Sequence, residues 1–150
     1  EGPGATSSET TRADHDTTAA PAVSSETDAK RIYDQAYKDL TRGNYSLAIL
    51  GFREFLQRSG SSDLADNAQY WVGESYSAQR DFSAAIQEFL KVPERWERGD
   101  KVPAALLKAG YSYLQLDDRA SARKYLNQVI EQFPNSEEAV NAKNKLRSAM

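Results

Sequence analysis

From Ala29 onward the apolar residues fall at helical spacing, in stripes separated by short polar breaks. Ile32, Ala36 and Leu40 share one face, with Tyr33 and Tyr37 beside them, and Arg42-Gly43-Asn44 ends that stripe. Tyr45, Ala48, Ile49, Phe52, Phe55 and Leu56 form the second stripe. Ser59-Gly60-Ser61-Ser62-Asp63 is expected to end that helix and cap the next. The third stripe holds Ala68, Tyr70, Trp71, Val72, Gly73 and Tyr76, and Arg80-Asp81 supplies a turn. Phe82, Ala85, Ile86, Phe89, Leu90 and Val92 follow, with Pro93 expected to stop or kink their helix. A fifth helix is predicted from about Lys101-Val102-Pro103, carrying Leu106, Leu107, Ala109, Gly110, Tyr113 and Leu114. After Asp117-Asp118 the sixth carries Ala120, Ala122, Tyr125, Leu126, Val129, Ile130 and Phe133. Pro134-Asn135-Ser136 then leads into a last helix with Ala139, Val140, Leu146 and Ala149 on its packing side; Ser136 is its expected cap and Glu137-Glu138 its first-turn acids.

These stripes keep a phase. Ala48, Ala85 and Ala122 are 37 residues apart, and each opens an Ala-x3-Phe/Leu step to Phe52, Phe89 or Leu126. Twelve residues before each alanine stands Ala36, Gly73 or Gly110. Small residues are needed where two helices cross closely, and the bulky residue four positions on fills the hollow under the next unit. The pattern matches the tetratricopeptide repeat. The predicted fold is all-α: a tetratricopeptide-repeat solenoid of three helix-turn-helix units plus a C-terminal capping helix. Repeats are expected over about 29–62, 63–99 and 100–135, with the cap over 136–149. Tyr76 and Tyr113, three residues after their glycines, are expected to bridge helix pairs.

Residues 1–28 break this pattern. They are rich in Ser, Thr, Ala and acid, and apart from alanines Val23 is the only aliphatic residue there. Such a stretch buries too little surface to offset its ordering entropy, so it is expected to be a disordered linker. It holds six acids (Glu1, Glu9, Asp14, Asp16, Glu26 and Asp28) against Arg12 alone, which leaves residues 29–150 close to neutral. A near-neutral repeat region lacks the basic stripe that nucleic acid requires. No apolar run approaches membrane-spanning length. The start at Glu1, with no visible signal peptide, leads us to expect a processed or truncated piece of a longer chain.

Candidate chemistry points to binding. Cysteine is absent and the only histidine, His15, lies in the acidic segment. No nucleophile–base pair, metal-ligand cluster or glycine-rich phosphate loop appears, so no enzyme activity, metal or cofactor is expected. In a stack of helix pairs the first helix of each pair lines the groove. That places Tyr33, Tyr37, Tyr70, Glu74, Ser77, Leu107 and Tyr111 as candidate partner-binding residues. Tyrosine, with an apolar body and a polar tip, suits such a surface. A clamp for a terminal carboxylate would need Lys, Arg and Asn there, and Tyr33, Tyr37 and Tyr70 occupy that face instead. An apolar helix or an extended peptide fits better.

Several segments carry a family resemblance. Asn67-Ala68-Gln69-Tyr70-Trp71-Val72-Gly73-Glu74-Ser75-Tyr76 resembles the Asn-Ala-x-Tyr-Trp-Leu-Gly-Glu element of the YbgF/CpoB family, accessory proteins of the Tol-Pal system. Tyr33-Asp34-Gln35-Ala36-Tyr37, Pro103 to Gly110, Phe133-Pro134-Asn135-Ser136 and the Lys145 to Met150 end are similar to further segments of that family. The resemblance covers residues 29–150. It implies a periplasmic, non-enzymatic adaptor that binds TolA and contacts a peptidoglycan synthase, coordinating outer-membrane constriction with septal peptidoglycan synthesis in cell division. It implies an N-terminal trimerising coiled coil in a longer chain, with residues 1–28 as the linker behind it; the present chain alone is expected to be a monomer. Of the matching residues, Tyr70 and Glu74 are expected to face the groove, Gly73 to pack, and Trp71 to lie in the core. The chain departs from the family at Ser59-Gly60-Ser61-Ser62 and at Pro93 to Asp100. Trp96 stands 37 residues before Phe133 and either packs as a plug or faces a partner, packing being the expectation. The rival reading is another repeat adaptor, a subunit of an outer-membrane assembly or secretion complex.

Overall fold

The computed structural model describes residues 22–150, with side chains from Ser25 onward. Among these are seven helices and no strand: α1 (Ala22–Thr41), α2 (Tyr45–Ser59), α3 (Ala65–Ala78), α4 (Phe82–Arg95), α5 (Val102–Gln115), α6 (Arg119–Gln132) and α7 (Glu137–Ala149). Each helix packs on the next in sequence, and α1 also touches α3 while α5 touches α7. The result is three antiparallel pairs with α7 closing the stack. Its inner face is carried by α1, α3, α5 and α7. The expected linker loses its last part to α1, which begins at Ala22, directly after Pro21 in the sequence. Ala29 is buried against α2, and ion pairs Asp28–Arg31 and Lys30–Asp34 run along the helix surface. The rest of that linker, with His15, lies outside the described residues.

The small residues sit where the repeat predicts. A Cβ on Gly73 would lie 2.5 Å from the Phe89 ring, and one on Gly110 would lie 2.8 Å from Leu126. In the first unit the close pair is Ala36 and Gly51, where an added Cβ would come within 2.8 Å of the alanine methyl. Phe52, Phe89 and Leu126 are fully buried. Two hydrophobic clusters result, one around Phe52 and Phe55 and one around Phe89, Leu106 and Leu126; Trp71 and Tyr76 pack against both.

A second repeat, invisible in the apolar pattern, shapes the turns. Gly43, Arg80 and Asp117 are 37 residues apart and all have positive φ, at 84°, 62° and 60°. Asn44, Asp81 and Asp118 follow as N-caps. The Asp81 carboxylate accepts from Ala84 N at 3.2 Å and Asp118 from Ser121 N at 3.1 Å, whereas Asn44 makes no such bond. Ser136 caps α7 as predicted, accepting from Ala139 N at 3.0 Å.

Three local expectations are corrected. Pro93 does not stop its helix: α4 runs on two residues to Arg95, although the proline lacks the N–H that would bond the carbonyl four residues back. The N-cap of α3 is Leu64, and Ser62 Oγ instead accepts from Leu64 N at 3.2 Å. Val140 points outward, 54% exposed, and Ala139, Ala142 and Leu146 close the stack.

Glu88, nearly buried on α4, ties the first two units together. Its carboxylate accepts from Gln69 Nε2 at 2.6 Å, Arg53 at 3.2 Å and Lys91 at 3.2 Å. Arg53 also donates to the Tyr76 hydroxyl at 3.0 Å, a link from α3 back to α2 of the preceding unit rather than the expected bridge within the α3–α4 pair. Tyr113 stacks flat on Tyr125 across α5 and α6, with centroids 5.5 Å apart.

Candidate functional site

The inner face divides into an aromatic cleft and a charged floor. The cleft opens between α1 and α3 and is lined by Tyr33, Asp34, Tyr37, Lys38 and Trp71, enclosing about 490 Å³. Trp71 Nε1 donates to the Tyr33 hydroxyl at 3.0 Å. Tyr37 meets Trp71 edge-on at 5.3 Å, and Tyr33 stands edge-on to Phe52 and Phe55 in the core behind. With the indole N–H already satisfied, the cleft offers ring surface. Tyr37 is 41% exposed, which makes it the most accessible of these rings.

The seven predicted residues do not share one surface. Tyr33, Tyr37, Glu74, Ser77 and Tyr111 are half-buried or exposed along the inner face, with Ser77 a turn beyond the others on α3. Tyr70 and Leu107, only 6% and 5% exposed, are core residues: Tyr70 packs against Phe89 at 5.6 Å, and Leu107 joins the cluster around Leu106. Trp71 meets its core expectation only in part: the indole packs against both clusters but is half-buried and also walls the cleft. Position 71 is turned toward α1, so its indole forms the cleft wall, while Tyr70, one residue earlier, turns toward α4 and α5. The sequence held a signal for this. Asp34, Trp71 and Lys108 occupy one repeat position, and two charged residues there mark it as facing water.

Beyond Trp71 the face becomes charged. The Lys101 ammonium lies 5.0 Å from the Tyr70 ring centre and 5.2 Å from that of Trp71. Lys145 of α7 lies 4.9 Å from the Tyr111 ring centre. Lys108 Nζ is 3.1 Å from Glu74 Oε1, but the directed hydrogen bond goes to Oε2 at 3.4 Å, leaving Oε1 buried without a well-aimed donor. Burial raises the Tyr70 hydroxyl far above its usual range, and the nearby Glu74 and Glu138 carboxylates add to the shift. Burial likewise raises Tyr33, partly offset by its bond from Trp71, and raises Tyr111. These phenols therefore stay neutral and serve as packing surface and hydrogen-bonding groups. Among the described residues no group of three or more His, Cys, Asp or Glu could hold a metal ion, and no helix is long and apolar enough to cross a membrane.

Trp96, left open between plug and contact, is half-buried at the end of α4. It borders a separate cleft with Ser61, Asp66, Arg98 and Gly99, away from the aromatic one.

The tetratricopeptide-repeat family model matches residues 104–136, which cover most of α5 and all of α6. No curated protein matches the chain. Solved structures with similar folds include the Arabidopsis OM64 tetratricopeptide-repeat domain (14% identity, TM-score 0.68, 84% of this chain and 99% of that one). The N-terminal domain of stress-induced protein-1 from C. elegans is similar at 16% identity and TM-score 0.68, covering 80% and 95% of the two chains. The first repeat domain of Spaghetti (RPAP3), solved bound to an HSP90 peptide, is similar at 19% identity and TM-score 0.67, covering 82% and 90%. The chain thus has the fold of a tetratricopeptide-repeat domain, an all-helical solenoid.

Proposed function

We propose that the chain is a non-enzymatic adaptor whose inner face binds a segment of a partner protein. The observation that carries this reading is the Tyr37–Trp71 ring pair, which meets edge-on and lines an open cleft between α1 and α3, with Tyr37 41% exposed. Aromatic rings kept accessible on a preorganised scaffold are the usual anchors of a protein interface. The capture of a peptide by one similarly folded domain, that of RPAP3, fits the same use of the face.

The finer reading rests on the family resemblance of the Asn67 to Tyr76 element and its companions. On it the protein is a periplasmic accessory of the Tol-Pal system that binds TolA and contacts a peptidoglycan synthase, coordinating outer-membrane constriction with septal peptidoglycan synthesis in cell division. The alternative is another repeat adaptor, in an outer-membrane assembly or secretion complex. Calorimetric titration with the periplasmic part of TolA separates the two. Binding that is lost in Trp71→Ala supports the Tol-Pal reading. Absence of binding to the wild-type chain removes it and leaves the other adaptor.

A further inference from the structure

The charges around the cleft select among partners. Five lysines line or flank the inner face: Lys30, Lys38, Lys101, Lys108 and Lys145. Two are neutralised within the fold, Lys30 by Asp34 at 3.1 Å and Lys108 by Glu74 at 3.1 Å. Among the described residues Lys38, Lys101 and Lys145 have no carboxylate in ion-pair range. Lys101 and Lys145 are instead held over aromatic rings. Glu138 lies within electrostatic range of Tyr70 but is outnumbered by these three ammoniums. A ring beneath an ammonium restrains its position and leaves its outer N–H groups directed at solvent. Such a group is prepared to receive a carboxylate with little further ordering. It would repel a partner's lysine or arginine.

Trp71 links the two features. The Tyr37 ring and the Lys101 ammonium each lie about 5 Å from the indole, so they stand no more than ~11 Å apart, a span that two residues of extended chain, ~7 Å, fit within. We propose that the inner face takes an extended partner segment carrying a bulky apolar side chain and an acidic side chain two residues apart, on the same side of the segment. The apolar group enters the Tyr33–Tyr37–Trp71 cleft and the carboxylate meets Lys101, with Lys145 favouring further acids toward α7. The acid is proposed as a side chain within the segment, the Tyr33, Tyr37 and Trp71 rings at the α1 end receiving the apolar group. This inference rests on the reading of the inner face as a peptide groove.

The test uses four synthetic peptides with one Gly/Ser frame, acetylated and C-terminally amidated. They carry Leu and Glu two residues apart, Leu and Gln, Leu and Lys, or Ser and Glu. Each is titrated into the isotope-labelled chain and followed by nuclear magnetic resonance. The Leu/Glu peptide is expected to shift the Trp71 indole signal and to bind about three- to five-fold more tightly than Leu/Gln, with Leu/Lys weakest. Raising the salt should narrow that gap. Lys101→Gln should bring Leu/Glu down to Leu/Gln, and Lys101→Arg should restore the preference in a chain of unchanged thermal midpoint. Equal binding of Leu/Glu and Leu/Gln, or preference for Leu/Lys, overturns the acidic partner while leaving the groove intact. Failure of every peptide to move any inner-face signal overturns both.

Discussion

Tyr37 on α1 and Trp71 on α3 belong to different repeats, yet their rings meet edge-on at 5.3 Å and close one end of the inner face. The contact exists only because the two units stack in register. It joins the packing that builds the solenoid to the surface that would receive a partner. Tyr37→Ala should therefore separate the two roles. With the ring 41% exposed, the loss of stability should stay near 1 kcal/mol. Loss of a binding anchor should weaken partner affinity by ten-fold or more, on the order of 2 kcal/mol. Leu50→Ala, on the exposed side of α2, should leave affinity unchanged. Thermal melts and calorimetry on the two variants check both halves.

Gly73→Ala tests the close crossing of α3 and α4. Helix propensity alone favours alanine by about 1 kcal/mol. The added methyl would lie 2.5 Å from the ring of Phe89, which is fully buried. Overpacking should win and destabilise the chain by about 1–3 kcal/mol in urea unfolding. Phe89→Ala, which empties the same site, should cost about 3–5 kcal/mol. A Gly73→Ala chain as stable as wild type would mean that the crossing is looser than described.

The turns give a prediction of opposite sign. Asp117 holds φ at 60° without being glycine. That conformation costs a residue with a side chain about 1–2 kcal/mol. Glycine relieves this but adds about 0.4–1 kcal/mol of unfolded-chain entropy. Asp117→Gly should thus stabilise by roughly 0.5–1 kcal/mol, and Gly43→Ala should destabilise by a similar amount. Opposite shifts of the melting temperature in the two variants are the expected result.

Much of this architecture was legible in the sequence because packing repeats with the chain. Ala36, Gly73 and Gly110 announced the crossings, and Phe52, Phe89 and Leu126 the hollows they sit beside. What failed was the direction of single side chains at the seams between units. Tyr33, Tyr70 and Leu107 hold one repeat position, but burial deepens along the series as α4, α5 and α7 cover successive units, so one label could not fit all three. For Trp71 the core expectation covered only its packed side, because size suggests core, whereas its register partners Asp34 and Lys108 mark a position that also meets water. Lys101 and Lys145 were missed because a lysine placed over a ring has no sequence signature. The start of α1 escaped because polar residues carry no apolar stripe, even when ion pairs along the helix support them.

Alkaline pH should weaken the fold through Tyr70. Its folded pKa is raised, chiefly by burial, above the unfolded value of 10.0. The protonated phenol is the form the fold favours, so its contribution is fully present below pH 10.0 and declines as pH rises from there toward the folded pKa. Unfolding free energy should fall with rising pH in that window. Tyr70→Phe should flatten part of the slope, the remainder belonging to Tyr33, Tyr111 and Tyr113, which are raised in the same sense. Denaturant curves at stepped alkaline pH provide the comparison.

On the proposed reading, a partner binds the inner face of the solenoid at the α1–α3 cleft. The chain contains two tryptophans, Trp71 in the cleft and Trp96 outside it, so their indole N–H resonances form a built-in pair of reporters. Titration of the isotope-labelled chain with the periplasmic part of TolA should move the Trp71 indole signal and the backbone signals of Tyr33 and Tyr37, while Trp96 stays in place. Shifts confined to Trp96 or to the Leu47–Leu50 side of α2, with Trp71 unmoved, would contradict it.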